Sequence, residues 1–253
     1  MNSCRILNLD AIRNSLQEVQ AQFEVLNTQF DEPRDPFDDV VCNNMLQGYA
    51  LIDRLIFDGV DLFDLQQIDW MIEINTTVLC GVDPEKRKEF SRHIAITRSR
   101  FFDSHEGGVR DLLEWYDLHG HKSAWKRAAG VFVHSLSKPQ LFIEGNHRSA
   151  SLIVSFLLVR EGLPPFVLST DNAVAFFNPA SVIRRMPKHG LVALFKLPKI
   201  KKKYAAFLEE QSSSKFLLKQ MDQRTHDRRK GDRRKHDRRA CDRRTRDRRK
   251  ESN

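Results

Sequence analysis

Apolar residues at Ile12, Leu16, Val19, Phe23, Leu26 and Phe30 recur at alternating steps of four and three, the stripe that lets one face of a helix bury itself. The spacing predicts a helix opening near Asp10, whose carboxylate suits the first turn. Pro33 and Pro36 interrupt the pattern. It resumes in two helices over about 38–57 and 65–79, the second stopped by Gly81. Asp83-Pro84 opens a shorter charged helix, with proline where no intrahelical bond needs its N–H. Helical runs are expected again over about 109–119 and 124–138. Another starts near His147 and is stopped by Gly162-Leu163-Pro164-Pro165. Beyond that break, Thr170 is expected to cap a short helix carrying Phe176-Phe177, followed by helices over about 180–188 and 199–209. One stretch breaks the rule. His93-Ile94-Ala95-Ile96-Thr97-Arg98-Ser99-Arg100-Phe101 alternates as a strand does, or forms a loop pinned by Ile94 and Ile96. The expected fold class is all-α, with at most one short β-hairpin.

With 253 residues, 40% of them hydrophobic, the chain can bury one substantial core and carry further segments. The divisions expected are an amphipathic helix and linker over 1–37, a helical core over 38–200, a helical extension over 201–223 and a tail over 224–253. The net charge of +8 is unevenly spread: residues 224–253 hold fifteen Lys and Arg against six Asp and Glu, leaving 27 basic and 28 acidic residues before them. Basicity belongs to the tail, so the core is not expected to bind nucleic acid by charge. Cys4, Cys42, Cys80 and Cys241 form no CxxC pair, and the amino terminus lacks the apolar run of a signal peptide. A cytoplasmic location is expected. The apolar run 152–159 is far short of the roughly 20 residues a membrane-spanning helix needs.

In the tail, Asp227, Asp232, Asp237, Asp242 and Asp247 each precede an arginine pair: Arg228-Arg229, Arg233-Arg234, Arg238-Arg239, Arg243-Arg244 and Arg248-Arg249. A period of five suits neither a helix face nor a strand face, and almost nothing apolar is there to offset the entropy of ordering, so a disordered tail is expected. Its arginines suit RNA, DNA or an anionic membrane surface through phosphate contacts. The other reading is a solvated appendage.

Chemistry concentrates in Gln140-Leu141-Phe142-Ile143-Glu144-Gly145-Asn146-His147-Arg148. Gly145 permits a tight turn, and the helix that follows opens with unpaired N–H groups and the positive end of its dipole. Glu144 is an oxygen ligand suited to Mg²⁺, Asn146 a donor to phosphate, and Arg148 a fork for a second phosphate. Together they suit a nucleoside triphosphate such as ATP with Mg²⁺. The plain reading is a helix corner with Glu144 and Arg148 as a surface ion pair. His147 is read as a donor to phosphate, or as a satisfied histidine at a helix start.

These residues resemble the motif of the Fic (Fido) family, H-x-F-x-[D/E]-G-N-[G/K]-R-x-x-R, matched here at Phe142, Glu144, Gly145, Asn146 and Arg148. The resemblance implies a Fic-like fold and the transfer of AMP or a related group to a hydroxyl of a target protein. Gln140 stands at the motif histidine, His147 at Gly or Lys, and Ser151 at the last arginine. The family histidine acts as the general base, and an amide cannot titrate. His134, six residues earlier, points about 240° away on a continuous helix and makes a poor substitute. The resemblance also implies that 93–101 is the flap, with Ile94, Ala95, Ile96 and Thr97 holding the target's backbone by strand addition. Thr28 and Glu32 have the spacing of the family's inhibitory signature, but Pro33 marks a helix end instead. The alternative function is a non-catalytic nucleotide- or phosphate-binding module localised by its tail. His119 and His121 are read as loop histidines rather than zinc ligands, and Trp115 and Trp125 as core.

Overall fold

The computed structural model describes residues 5–103 and 108–218. The tail and its arginine pairs lie outside the described residues. Ten α-helices follow one another among the described residues: α1 (Leu9–Asn27), α2 (Asp39–Phe57), α3 (Asp69–Cys80), α4 (Pro84–Glu89), α5 (Ser91–Phe101), α6 (Val109–Leu118), α7 (Ala124–Leu136), α8 (Asn146–Arg160), α9 (Ala173–Arg185) and α10 (Leu191–Gln211). The fold of the described residues is all-α, as the periodicity predicts.

α8 forms the centre. Every residue from Ser149 to Val159 is buried, the pattern of a helix enclosed on all sides, and α2, α3 and α7 pack around it. Gly48 explains how close α2 comes: a Cβ there would meet Leu152 Cδ1 at 2.4 Å. α7 in turn packs against α6, α9 and α10, and α1 lies against α2 and α9. The two ends of the described core meet. Leu7 and Leu217 form an antiparallel bridge, Asn8 N donates to Phe216 O at 2.8 Å, and the buried Asp53 Oδ1 accepts from Ile6 N and Leu7 N, both at 2.9 Å.

Five expectations need correction. Residues 93–101 are helical, not a strand: Ile94 N donates to Phe90 O at 2.9 Å. Half-buried Ile94 with buried Thr97 and Phe101 makes a three-and-four stripe, while Ile96, which supplied the alternation, is 49% exposed. Pro179 does not divide two helices but sits inside α9. That helix begins after Asn172 rather than Thr170, because the Asn172 amide closes the turn onto Ser169 N and Val167 O, both at 2.9 Å. Pro198 likewise lies within α10, which starts eight residues before the expected 199; buried Ala193 and Leu197 hold the turns before the proline. Finally, Trp115 and Trp125 are half-buried rather than core.

Candidate functional site

α7 ends at Leu136, and the chain turns through the cis peptide Lys138-Pro139 to reach α8. Leu141 N donates to Ser135 O at 3.0 Å, and buried Phe142 stacks on Phe101 with ring centroids 5.6 Å apart. Gly145 then adopts φ +71°, in the left-handed region. A side chain would be crowded and strained there: a Cβ would lie 3.1 Å from Asn75 Nδ2 and 3.3 Å from both Leu79 and Val78, in a backbone conformation that L residues rarely adopt. α3 grips this turn, since Asn75 Nδ2 donates to Glu144 O and to Ser149 Oγ, both at 2.9 Å.

The first intrahelical bond of α8 runs from Ser149 N to Gly145 O at 2.8 Å. The amides of 146, 147 and 148 therefore precede the hydrogen-bond ladder and have no protein acceptor among the described residues. Arg148 stands beside them. Its Nη1 donates to Val78 O at 3.2 Å, and burial lowers its pKa, against the pull of Glu144, Asp35 and Asp38. No carboxylate pairs with it directly among the described residues, so the Glu144–Arg148 surface pair does not form.

Asn146 closes the loop on itself. Its Oδ1 accepts from Phe142 N at 2.9 Å, and its Nδ2 donates to Phe142 O at 2.8 Å and, at the outer limit of 3.5 Å, to Gln140 Oε1. The amide braces the loop: one N–H is held by Phe142 O, and the other has only the long contact to Gln140 among the described residues.

Glu144 contributes an exposed side chain whose carboxylate has no hydrogen bond or ion pair among the described residues. The Mg²⁺ that the resemblance implies keeps most of its waters and takes one or two carboxylates together with phosphate oxygens. A free carboxylate one residue before the turn fits such an ion. No group of three or more His, Cys, Asp or Glu gathers to hold a metal among the described residues.

His147 enters a basic nest. Burial, with Arg34, Arg184 and Arg148 around it, lowers its pKa to about 3; its Nε2 is shut off from solvent and has no hydrogen-bond partner. The ring is neutral. Arg34 and Arg184 were not apparent from the sequence, because they come from the α1–α2 connection and from α9. Asn75 left a weak trace, as a polar residue inside an apolar helical run.

Gln140 lines an open cleft of about 520 Å³ with Arg100, Lys138, Pro139, Phe142 and Ile143. Its carbonyl accepts from Arg100 Nη2 at 3.1 Å, so α5, carrying Ile94, Ala95, Ile96 and Thr97, borders the motif as a helix rather than as a flap strand. Among the described residues, no imidazole or carboxylate lines this cleft. His134 is buried on α7 against Trp115, with ring centroids 4.9 Å apart, and burial lowers its pKa to about 4. Its Nδ1 lies 3.7 Å from Asp111 Oδ2, too far for a hydrogen bond. Glu32 lies beyond the end of α1 and pairs with Arg184, at 2.7 Å, and with Arg185.

No family model matches the chain, and no curated protein matches it. Among solved structures, the crystal structure of a Fic domain containing signaling protein from Bacteroides thetaiotaomicron VPI-5482 is similar over 81% of this chain and 84% of that one. The two share 16% identity with a TM-score of 0.46, a likeness too loose to carry a site or an activity.

Proposed function

We propose that the chain is a Fic-like domain that binds a nucleoside triphosphate with Mg²⁺ at the Gly145 turn. The observation that supports it most is the turn itself: a left-handed glycine, crowded by α3, opens the central helix and leaves three amides without acceptors among the described residues, beside an arginine that forms no direct carboxylate pair among them. Amides at a helix start and a guanidinium are what a phosphate group takes. Glu144 would hold the ion, which supplies neutralisation of the phosphate charge. Gln140 orients and does not take a proton, so this reading is of a domain that binds nucleotide with little or no transfer.

A second reading, transfer of the nucleotidyl group to a protein hydroxyl entering the Gln140 cleft, is favoured by the unengaged carboxylate of Glu144. Purified full-length chain incubated with labelled ATP, Mg²⁺ and a cell lysate separates the two. Nucleotide that binds but leaves no covalent label supports the binding module, labelled protein supports transfer, and the absence of both sinks the nucleotide reading.

A further inference from the structure

α10 opens with Leu191, Val192, Leu194 and Phe195 turned to solvent, Leu191 at 76% exposure and Phe195 at 69%. The cause is geometric. Buried Ala193 and Leu197 fix the inward side of the helix, and at 100° per residue Leu191 and Phe195 fall about 160° away from them. Val182 on α9 is half exposed as well. Apolar side chains scattered singly over a surface are ordinary, but several gathered together mark a contact site.

Beside them runs an open groove of about 450 Å³, lined by Val182, Met186 and Pro187 from α9 and the turn after it, and by Val192 and Ile200 from α10. Its edge is basic. Arg185, Lys196 and Lys199 complete the lining. Arg185 already pairs with Glu32, which Arg184 shares, but Lys196 and Lys199 form no ion pair among the described residues. Lys202 and Lys203 are exposed one turn further on, and α10 carries no Asp or Glu before Glu209. An apolar groove edged by unpaired cations calls for an occupant that is both apolar and acidic.

The carboxyl-terminal tail does not fit that description, since residues 224–253 hold fifteen Lys and Arg against six Asp and Glu. A second copy related by a twofold axis would set one basic edge against another. A lipid surface would take up Leu191 and Phe195 yet leave the groove unfilled, whereas an amphipathic helix laid into it covers groove and flank together. We infer that the α9–α10 groove is the docking site for an amphipathic helix of a partner protein, its apolar stripe in the groove and its Asp or Glu residues against Lys196 and Lys199. The groove adjoins the motif loop. Lys138 and Pro187 form a parallel bridge, in which Lys138 N donates to Met186 O at 2.8 Å and Lys188 N to Lys138 O at 2.9 Å. Lys138 also lines the Gln140 cleft, so a partner held in the groove sits next to that cleft. The docking does not depend on nucleotide.

Fluorescence anisotropy with the full-length chain tests it. The probe is a labelled peptide of about five helical turns, with leucine and phenylalanine on one stripe and glutamates flanking them; the control has the same composition with the stripe scrambled. The striped peptide should bind at least about tenfold more tightly than the control. Val192→Asn should weaken it about tenfold, as expected when one valine is no longer buried. The double variant Lys196→Glu with Lys199→Glu should also lose about tenfold, and should gain affinity for a striped peptide with lysines in place of the glutamates, a gain that an unfolded variant would not show. Failure of the striped peptide to bind overturns the groove. Equal binding of striped and scrambled peptides reduces the contact to charge attraction, and indifference to both variants moves it elsewhere on the chain; either result overturns it too. If Val192→Asn lowers binding to anionic vesicles and leaves the peptide unaffected, the patch belongs to lipid and the inference is wrong. Titration with ATP decides the nucleotide reading separately from all of these.

Discussion

Asn75, halfway along α3, donates its side-chain amide to the carbonyl oxygen of Glu144 at 2.9 Å. The same nitrogen reaches Ser149 Oγ at 2.9 Å, so one buried side chain ties the last residue before the turn to the first turn of α8. Asn75→Ala leaves a carbonyl and a hydroxyl without their partner. It should cost about 1–3 kcal/mol and weaken nucleotide binding through the loosened turn. Urea denaturation alongside nucleotide titration checks both; a variant as stable as the wild type would show that water replaces the amide.

Arg148→Ala removes the guanidinium carried by the first turn of α8 itself. The loss of charge-assisted bonding, about 1.5–3 kcal/mol, should weaken ATP affinity about tenfold or more. Calorimetry reads this directly, and unchanged affinity would sink the assignment of phosphate to this turn.

Gln140→His offers the cleft an imidazole, where the polar side chains that line it among the described residues are Gln140, Arg100 and Lys138. If the missing base limits transfer, labelled-ATP transfer should rise by a factor in the range of about 10²–10⁴. A variant that still binds nucleotide but gains nothing would move the defect elsewhere, with Ser151 the first candidate.

Two histidines make stability depend on pH. Burial lowers His134 to about 4, and burial with the surrounding arginines lowers His147 to about 3. An unfolded chain protonates both near 6.5. Between roughly pH 6.5 and 4 the unfolded state therefore binds more protons than the folded one, and stability falls as pH falls through that window. The urea midpoint should be lower at pH 5 than at pH 7, and His134→Gln should make the dependence shallower. Equal slopes for variant and wild type would mean that His134 is already protonated in the fold.

The arginine repeat offers a test independent of the nucleotide. Truncation after Asp222 should leave unfolding and nucleotide affinity unchanged and abolish binding to RNA, DNA or anionic vesicles. For duplex DNA, log affinity of the full chain should fall with log salt at about −0.9 per phosphate neutralised. Equal binding by the truncated chain would assign polyanion affinity to residues before 223.

The helices were legible wherever burial itself has a helical period, as in α1, where the stripe from Ile12 to Leu26 is the buried face. α5 was misread because Ile94 and Ile96 alternate over too few residues to separate the two periods. Burial of Thr97 and Phe101, a tertiary fact, decides between them. The helix starts expected at 180 and 199 were misplaced because packing holds the turns around Pro179 and Pro198, which lie inside α9 and α10. At the site, the Gly145 turn could be read locally, because one residue type accounts for its backbone. Asn146 also closes its own loop onto Phe142, a contact only four residues away that motif spacing does not distinguish from outward donation. Arg34 and Arg184 were illegible because they reach His147 from other parts of the chain, more than 30 residues away in sequence.

Asp53 sets where an independently folding unit can begin. Its carboxylate is buried on α2, and the donors to its Oδ1 are the amides of Ile6 and Leu7, which precede α1. A chain started at Asn8 would keep every helix yet strand that charge. Removing one side of a buried charged contact costs about 3–5 kcal/mol, a large part of the stability of an ordinary domain. Residues 6 and 7 are thus part of the minimal fold, and a version beginning at Asn8 should recover stability when Asp53 is replaced by leucine. If Asp53→Leu brings no recovery, water has solvated the carboxylate.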